Sequence, residues 1–570
     1  MKKRRVLSVI FLVFLLLVVY GLYDNIHPRI DAKPNHPDKD WDHGPLIHLI
    51  PTASHNRIII KASFYKPFSE PPRIAIGDRT VDGVMTDTKG YFWLFDIQNL
   101  EPNTTYTLVI QDATGKDLTD PWTIKTLPHP NSTPKHLRIL IFTGSGGHDV
   151  YQTWLFKQHL PIDVRQRLLN RALSFKPDIV ISSGDQIYYD LVYGISAKGQ
   201  GQLMRSISYA RKFDFNKPVL GTENEEVLKK AVGPQVAYLF GTALKSTPAY
   251  FLLDDHDYFE NDEAIKEDKF CKICLLLQIL TLNAPNPYIK AGISFPPDRF
   301  HLELARAAQY LFLPELIPMV EPPASLPSYD SPDRPKKTSE CTYGVIRWGK
   351  LFEGLLYESR RYVTLNGSEA YMIHPVAEEW IEDRMKKEEA IWVVNIPATV
   401  FGWSAGKWME WYPDVCCEDG KLTTKEEKYM WQSGWFEQHN RILKAASSMK
   451  QTPVFLCGDL HAQAYGIISR TGELDLSKNP VHVVVTGPLG TDEWGFPSKF
   501  RNVPPQVPEA VEMVEKLKPV EKDGFALVDI TPEKMTIRLF AWSSKEPVEK
   551  IDSLQPYYTI EIPSNKHLSN

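Results

Sequence analysis

Cysteine is scarce in this chain. Six occur in 570 residues, Cys271, Cys274, Cys341, Cys416, Cys417 and Cys457. That is too few to staple a protein of this length. Charge of one sign is lacking as well. The 65 Lys and Arg residues face 70 Asp and Glu, for a formal net charge of −5. This balance excludes a broad basic surface for nucleic acid. Beyond residue 23, long apolar runs are missing. The run "ICLLLQILTL" is too short to span a bilayer and reads as a helix packed on the domain. What the chain has is an ordinary globular composition, 43% hydrophobic and 24% charged, which excludes a wholly disordered chain. Its 44 prolines imply stiff loops rather than a helical bundle. Its length implies two or three domains.

The N-terminus carries the one long apolar run. "MKKRR" precedes "VLSVIFLVFLLLVVYGLY", Val6 to Tyr23, without a charge. The run is long enough to cross a bilayer as a helix. It lacks the small-x-small cleavage site of a secretory signal. Residues 1–23 are therefore expected to be a basic cytoplasmic tail and a single-pass signal anchor, with the rest of the chain outside the cytosol. A cleaved signal is the alternative and implies the same compartment.

Residues 24–44 are polar and proline-bearing and read as a juxtamembrane linker. From 45 to 129 short β runs alternate with turns, among them "RIIIKASFY", "YFWLFDIQNL" and "TYTLVIQD". This spacing predicts a small β-sandwich. "LEPNTTYTLVIQD" resembles the last strands of a fibronectin type III module. From 137 to 563 the pattern changes to α/β. "LRILIF" and "DIVISSGD" are continuous apolar strands, and the segment between them, "PIDVRQRLLNRALSFKPD", has helical spacing. Such a βαβ unit predicts a parallel or mixed sheet buried on both faces. "AYFLLDDHD", "AIWVVNIPA", "PVFLCGDLH" and "VHVVVTGPLG" continue it, and "FALVDITPEKMTIRLFAW" and "YYTIEI" read as added edge strands. An irregular insertion is expected at about 259–343. It contains Cys271-Lys-Ile-Cys274, read as disulfide-bonded or free thiols; a zinc knuckle, whose spacing it has, with Cys416-Cys417 as a second pair, is the alternative. Cys457 lies inside an apolar strand and reads as a small buried hydrophobe.

Polar groups gather at the strand ends. The first strand leads into Thr143-Gly-Ser145-Gly-Gly-His148-Asp149. The second leads into Gly184-Asp185-Gln-Ile-Tyr188, and a third into Asp254-Asp255-His256-Asp257. A later one leads into Gly458-Asp459-Leu-His461. Strand C-termini are where open α/β sheets place ligands. A single Gly-Asp after a strand is often a turn or a helix cap. Several carboxylates together repel one another without a cation. Hard oxygen donors with imidazole suit Ca²⁺, Mn²⁺, Zn²⁺ or Fe.

The order of these blocks resembles the metallophosphoesterase superfamily. The variants Asp254-Asp255-His256-Asp257, Gly458-Asp459-Leu-His461 and Asp185-x-x-Tyr188 are similar to those of the PhoD-type alkaline phosphatase and phosphodiesterase family. The resemblance runs from about 45 to 562. It implies a calcineurin-like four-layer αββα fold behind the β-sandwich, and hydrolysis of a phosphoester by water activated at two divalent or trivalent ions. It implies Asp185 as the bridging ligand, Tyr188 as a tyrosinate ligand, and Asp255, Asp459 and His461 as further ligands. It implies His256 as the residue that contacts the phosphate and protonates the leaving oxygen. At the family's cysteine ligand this chain has Ser145, a weaker donor for iron or zinc, with His148 and Asp149 as neighbours able to replace it.

Asp254 and Asn395 are expected to contact substrate. Asn395 opens "NIPATVFGWSAGKWMEWYPD", which follows a strand and reads as a cleft lining, although its tryptophans are better explained by packing. The loop "VVTGPLGTDEWG" offers phosphate donors. His439, in the helical run "WFEQHNRIL", is expected at the surface. The alternative to an enzyme is a non-catalytic, membrane-anchored binding or scaffold protein that has lost the cysteine ligand.

Overall fold

The structure is a computed structural model. It describes residues 33–147, 160–189, 213–258, 295–315, 343–387, 389–416, 427–490 and 504–565. Isolated residues 12, 15 and 16 and two-residue strands at 264–265, 269–270, 288–289, 292–293 and 422–423 are also described. Most of the expected membrane anchor, most of the insertion, Cys271, Cys274, Cys341, Cys417, His148 and Asp149 lie outside the described residues. Among the described residues no helix is long and apolar enough to cross a membrane.

Eight short strands come first. They are β1 (Leu46–Ala53), β2 (Arg57–Phe64), β3 (Arg73–Ile76), β4 (Arg79–Asp82), β5 (Val84–Met85), β6 (Phe92–Gln98), β7 (Thr105–Gln111) and β8 (Trp122–Lys125). They form two antiparallel four-stranded sheets, β1-β2-β6-β5 and β4-β3-β7-β8. Alternation decides which side chains go inside. In β8, Trp122 and Ile124 are buried while Thr123 and Lys125 are exposed. The buried faces meet in one core of Ile58, Ile60, Trp93, Phe95, Leu108 and Ile110.

The second part is built on two further sheets. The first contains β9 (Leu137–Phe142), β10 (Ile179–Ser183) and β11 (Ala249–Leu252), all parallel, with helix α1 (Ile162–Leu173) crossing between β9 and β10. Helices α2 (Glu223–Val232) and α3 (Arg299–Phe312) lie before and after β11 in the chain. The second sheet contains β12 (Tyr343–Trp348), β13 (Phe352–Tyr357), β14 (Trp392–Pro397), β15 (Val454–Cys457), β16 (Gln463–Thr471), β17 (Val481–Thr486) and β18 (Val511–Val520). Strands β13, β14, β15 and β17 run parallel in that spatial order. Helix α4 (Pro375–Lys387) joins β13 to β14, and α5 (Ser433–Ser447) joins β14 to β15. The C-terminal strands β19 (Asp523–Ile530), β20 (Lys534–Trp542) and β21 (Tyr558–Pro563) return to the first sheet beside β9, and β21 forms its edge.

The continuous apolar strands follow from this layering. In β9, Leu137, Ile139 and Ile141 enter the core between the sheets, while Leu140 and Phe142 face the helices. In β15, Val454 and Leu456 point between the sheets, and Phe455 and Cys457 point to the helix side. A strand with both faces covered cannot alternate with polar residues. Each buried Leu or Ile contributes about 1.5–3 kcal/mol. Burial pushes the Cys457 thiol up to about 12, so this cysteine is a packing group.

The two parts are joined by buried contacts. Ile50 and Phe92 enter the helix-side core of the second part. The Tyr250 hydroxyl donates to the Ala53 carbonyl at 2.7 Å. The described end of the expected linker is not free either. Asn35 and Asn170 exchange side-chain hydrogen bonds at 3.0 Å, and the Asn35 backbone pairs with Tyr238 and Thr242. Within 33–44, Asn35 and His36 thus bond to the α/β part, while Trp41 and Asp42 bond to Asp120 of the first part.

His439 corrects the sequence reading. It is fully buried in α5, stacked on Phe401 with centroids 5.1 Å apart, and its Nε2 lies 2.8 Å from the Tyr412 hydroxyl. Burial lowers its pKa from 6.5 to about 4, and burial lowers that of His48 equally, against the Phe312 carbonyl. Both fold as neutral rings, so the unfolded chain binds more protons between these values. Stability is therefore expected to fall as pH drops from 6.5 through 4. Thermal unfolding across that range checks this, and His439→Gln is expected to shallow the dependence.

Candidate metal centre

The two Gly-Asp turns answer each other across the sheets. Strand β10 of the first sheet ends at Ser183, and β15 of the second ends at Cys457. A Cβ on Gly458 would lie 2.1 Å from the Ser183 carbonyl oxygen, and a Cβ on Gly184 would lie 2.6 Å from Asp254 Cβ. Only glycine allows that approach. The following residues, Asp185 and Asp459, both adopt left-handed backbone, with φ of 60° and 64°. That conformation costs about 1–3 kcal/mol at a non-glycine residue and gathers at functional sites. It turns both carboxylates into the space where the sheet ends meet.

Asp257 binds the loops around that space. Its carboxylate accepts from the backbone N–H groups of Asp185 (2.9 Å), Gln186 (3.1 Å), Ile187 (2.9 Å) and Asp254 (3.0 Å). Burial pushes its carboxyl up, and Asp185 adds to this, while the backbone donors oppose it. Gln235 does a similar job on the other side. Its Oε1 accepts from the Gly147 and Tyr188 N–H groups, both at 2.8 Å. Arg165 donates to the Ser145 carbonyl at 3.0 Å and to the Gly147 carbonyl at 2.8 Å.

Six expected site residues are brought together with Ser145. The Tyr188 hydroxyl donates to Asp185 Oδ2 at 2.9 Å and lies 3.0 Å from His461 Nε2, itself 3.4 Å from Asp185 Oδ2. The His256 ring stacks on Tyr188 with centroids 4.1 Å apart. Ligand atoms of Asp185, Asp255 and His256 lie within 4.8 Å of one another, as do those of Asp254, Asp255 and Asp459. Ser145 is reached through the backbone, since Gly146 N–H donates to the Asp185 carbonyl at 2.9 Å. Asp185 Oδ1, Asp255 Oδ1, Asp254 Oδ2 and Ser145 Oγ are buried and accept no hydrogen bond. Buried oxygens in that state are costly, and a cation satisfies them. On these grounds the donor set fits a metal ion of the hard, oxygen-preferring class, with Asp185, Asp255 and the nearby imidazoles holding it.

Asp254 and Asn395, the two expected substrate contacts, have different surroundings. Asp254 is paired with Arg360, Nε to Oδ1 at 3.0 Å, and both side chains are fully buried. Asn395 sits inside β14, with its amide near the Tyr357 hydroxyl at 3.3 Å and Met385 Sδ at 3.5 Å. It is not among the residues brought to the strand ends. Trp403, Trp408 and Trp411 are buried in the core. The described part of the "TGPLG" loop runs against the site's edge, where Leu489 N–H donates to the Thr143 carbonyl at 2.9 Å.

Two basic residues were missed by the sequence reading. Lys407 Nζ lies 2.9 Å from Asp255 Oδ2 and 2.5 Å from Asp459 Oδ1. Arg360 reaches Asp459 Oδ2 with Nη2 at 3.3 Å. Burial opposes ionisation of Asp255, but Lys407, His256 and Arg360 hold its carboxyl below the usual carboxylate range. Burial pushes the Asp254 carboxyl well up, Arg360 pulls it down, and Asp459, Asp255 and Asp185 push it up again. One further cation relieves that crowding.

Asp257→Asn would turn an amide N–H₂ toward backbone donors. The expected loss is about 3 kcal/mol of stability, with weaker cation binding, because the Asp185 and Asp255 loops lose their common anchor. Denaturant unfolding and Mn²⁺ titration of the variant check both effects.

No family model matches the chain, and no curated protein matches it by sequence. By structure the chain aligns with the solved structure of PhoD, with a TM-score of 0.53 and 14% identity, over 94% of this chain and 90% of that one. The purple acid phosphatase PPD1 from yellow lupin (Lupinus luteus) seeds aligns with a TM-score of 0.49 and 12% identity, over 92% of this chain and 75% of that one. The chain thus has the fold of PhoD, and it resembles the PhoD-type metallophosphoesterases in the order of its strand-end motifs.

Proposed function

We propose that this chain is a metal-dependent phosphoester hydrolase of the PhoD type. The observation that carries the reading is the convergence of Asp185, Tyr188, Asp255, His256, Asp459 and His461 at the ends of two stacked sheets, with buried carboxylate oxygens left without a hydrogen-bond donor. The two donor clusters share Asp255, which supports two adjoining cation positions. A bound divalent or trivalent ion supplies charge neutralisation for a phosphoryl group and makes water acidic enough to deprotonate near neutral pH.

The protein's own groups have separate tasks. Asp185 and Asp255 anchor the cation. Tyr188 donates its hydroxyl proton to Asp185 Oδ2 and thereby orients that carboxylate. His256, held against the Tyr188 ring, delivers a proton to the leaving oxygen. Gln235 and Arg165 hold the Ser145 loop and Tyr188 in place. The N-terminal basic and apolar segment supports a membrane-anchored chain with this site outside the cytosol, and the two-sheet unit is read as a fibronectin type III-like support.

The test uses the purified full-length chain with Ca²⁺, Mn²⁺, Zn²⁺ or Fe. Bis(p-nitrophenyl) phosphate and p-nitrophenyl phosphate are assayed side by side. Turnover is expected, with the ratio of the two rates separating diesterase from monoesterase. His256→Ala is expected to lower kcat by about 10²–10⁴-fold. A folded, metal-loaded chain inert toward both esters would contradict the reading and favour a binding role.

A further inference from the structure

The second cation position already contains cations. Asp254, Asp255 and Asp459 form one donor cluster. Lys407 Nζ bridges Asp255 Oδ2 and Asp459 Oδ1, at 2.9 and 2.5 Å. Arg360 bridges the other oxygens, Asp254 Oδ1 at 3.0 Å and Asp459 Oδ2 at 3.3 Å. Both basic side chains are buried, Lys407 at 4% and Arg360 at 0% exposure. A metal ion bound to Asp255 Oδ2 and Asp459 Oδ1 would meet the ammonium at close range, and like charges at that distance repel strongly.

Lys407 is held there by a built frame. Its loop is pinned by Glu410, which accepts from the Ser404 hydroxyl at 2.5 Å and the Ala405 N–H at 2.7 Å. Glu410 is itself paired with buried Lys428 at 2.6 Å. Ser404 exchanges backbone hydrogen bonds with Gln506. Arg360 grips the same loop, donating through Nη1 to the Met409 carbonyl at 3.1 Å. Arg360 thus holds both Asp459, which Lys407 also touches, and the loop that carries Lys407.

The two basic groups already take up contacts of this cluster. Lys407 and Arg360 between them touch Asp254, Asp255 and Asp459, whereas Asp185 is outside their reach. Ser145, where the resembled family has a cysteine, adds no charge. The oxygens that accept no hydrogen bond include Asp185 Oδ1 in the first cluster, Asp255 Oδ1 of the residue both clusters share, and Asp254 Oδ2 and Asp459 Oδ2 in the second, where Arg360 is ion-paired with both residues. We propose that this centre binds a single metal ion, on the Asp185 side of Asp255, and that the Lys407 ammonium, clamped by Arg360, stands in for the second ion.

This inference rests on the metal-centre part of the proposed function, and metal stoichiometry separates the two. Purified full-length chain is dialysed against excess Mn²⁺, and bound metal is counted by mass spectrometry. One ion per chain is expected in the native protein, and two in Lys407→Met. Asp459→Asn, which removes a carboxylate of the second cluster and one contact of Lys407, is expected still to bind one ion. Two ions in the native chain would overturn the inference and leave the metal centre standing. No ion would overturn the metal centre as well. A folded Lys407→Met with one ion would overturn the role of Lys407. Should that variant fail to fold, the native count and Asp459→Asn decide, and loss of the ion in Asp459→Asn counts against the proposal.

Discussion

Four carboxylates are buried at one point of this molecule, and everything around them serves to keep them there. Asp185, Asp254, Asp255 and Asp459 come from two sheets, and their side chains are almost completely withdrawn from water. An isolated buried carboxylate is far too costly to persist as an anion. Four together repel one another besides. The arrangement stands if positive charge is built in or bound, or if a carboxyl keeps its proton, the direction in which burial pushes Asp254. Lys407 and Arg360 supply part of it, each touching two of the four. The rest of the demand is what fits the place to a bound cation.

The fold meets this demand through layering. Parallel strands β9 and β10 in one sheet and β14 and β15 in the other deliver their C-terminal ends to one side. Helices cover the outer faces, and the inter-sheet core fixes the spacing. Glycines at 184 and 458 let the turns of the two sheets touch. The left-handed backbone of Asp185 and Asp459 is strain that the surrounding bonds to Asp257 and Lys407 sustain. Structure and chemistry meet at the same residues, because the bonds that close the turns are the bonds that aim the ligands.

Much of this was legible in the chain itself, for local reasons. Strands covered on both faces must be continuously apolar, so "LRILIF" and "PVFLC" could be recognised, and so could the polar residues that ended them. Tyr188 and His461 belong to the same short turns and came with them. Asn395, expected to contact substrate, lies within its strand. Its neighbours Val394 and Ile396 face the other sheet, so Asn395 faces the helix layer, where Met385 lies. His439 looked like a surface residue because a helical wheel does not reveal that a loop carrying Phe401 lies across it. Arg360 follows the end of β13 and carried the same strand-end signal as the aspartates. Lys407 carried none. Its loop is placed by Glu410 and Lys428, which are 18 residues apart in the chain, and by Gln506, which is farther still.

The central claim is that a bound cation completes a balance that the folded chain leaves open. Thermal unfolding of the native full-length chain, before and after exhaustive chelation and again with Mn²⁺ added, tests it most directly. At a free ion concentration 100 times Kd, a ligand specific for the folded state adds about 2.7 kcal/mol. The account predicts a lower unfolding temperature after chelation and its recovery with Mn²⁺. An unfolding temperature that neither chelation nor Mn²⁺ moves would contradict it.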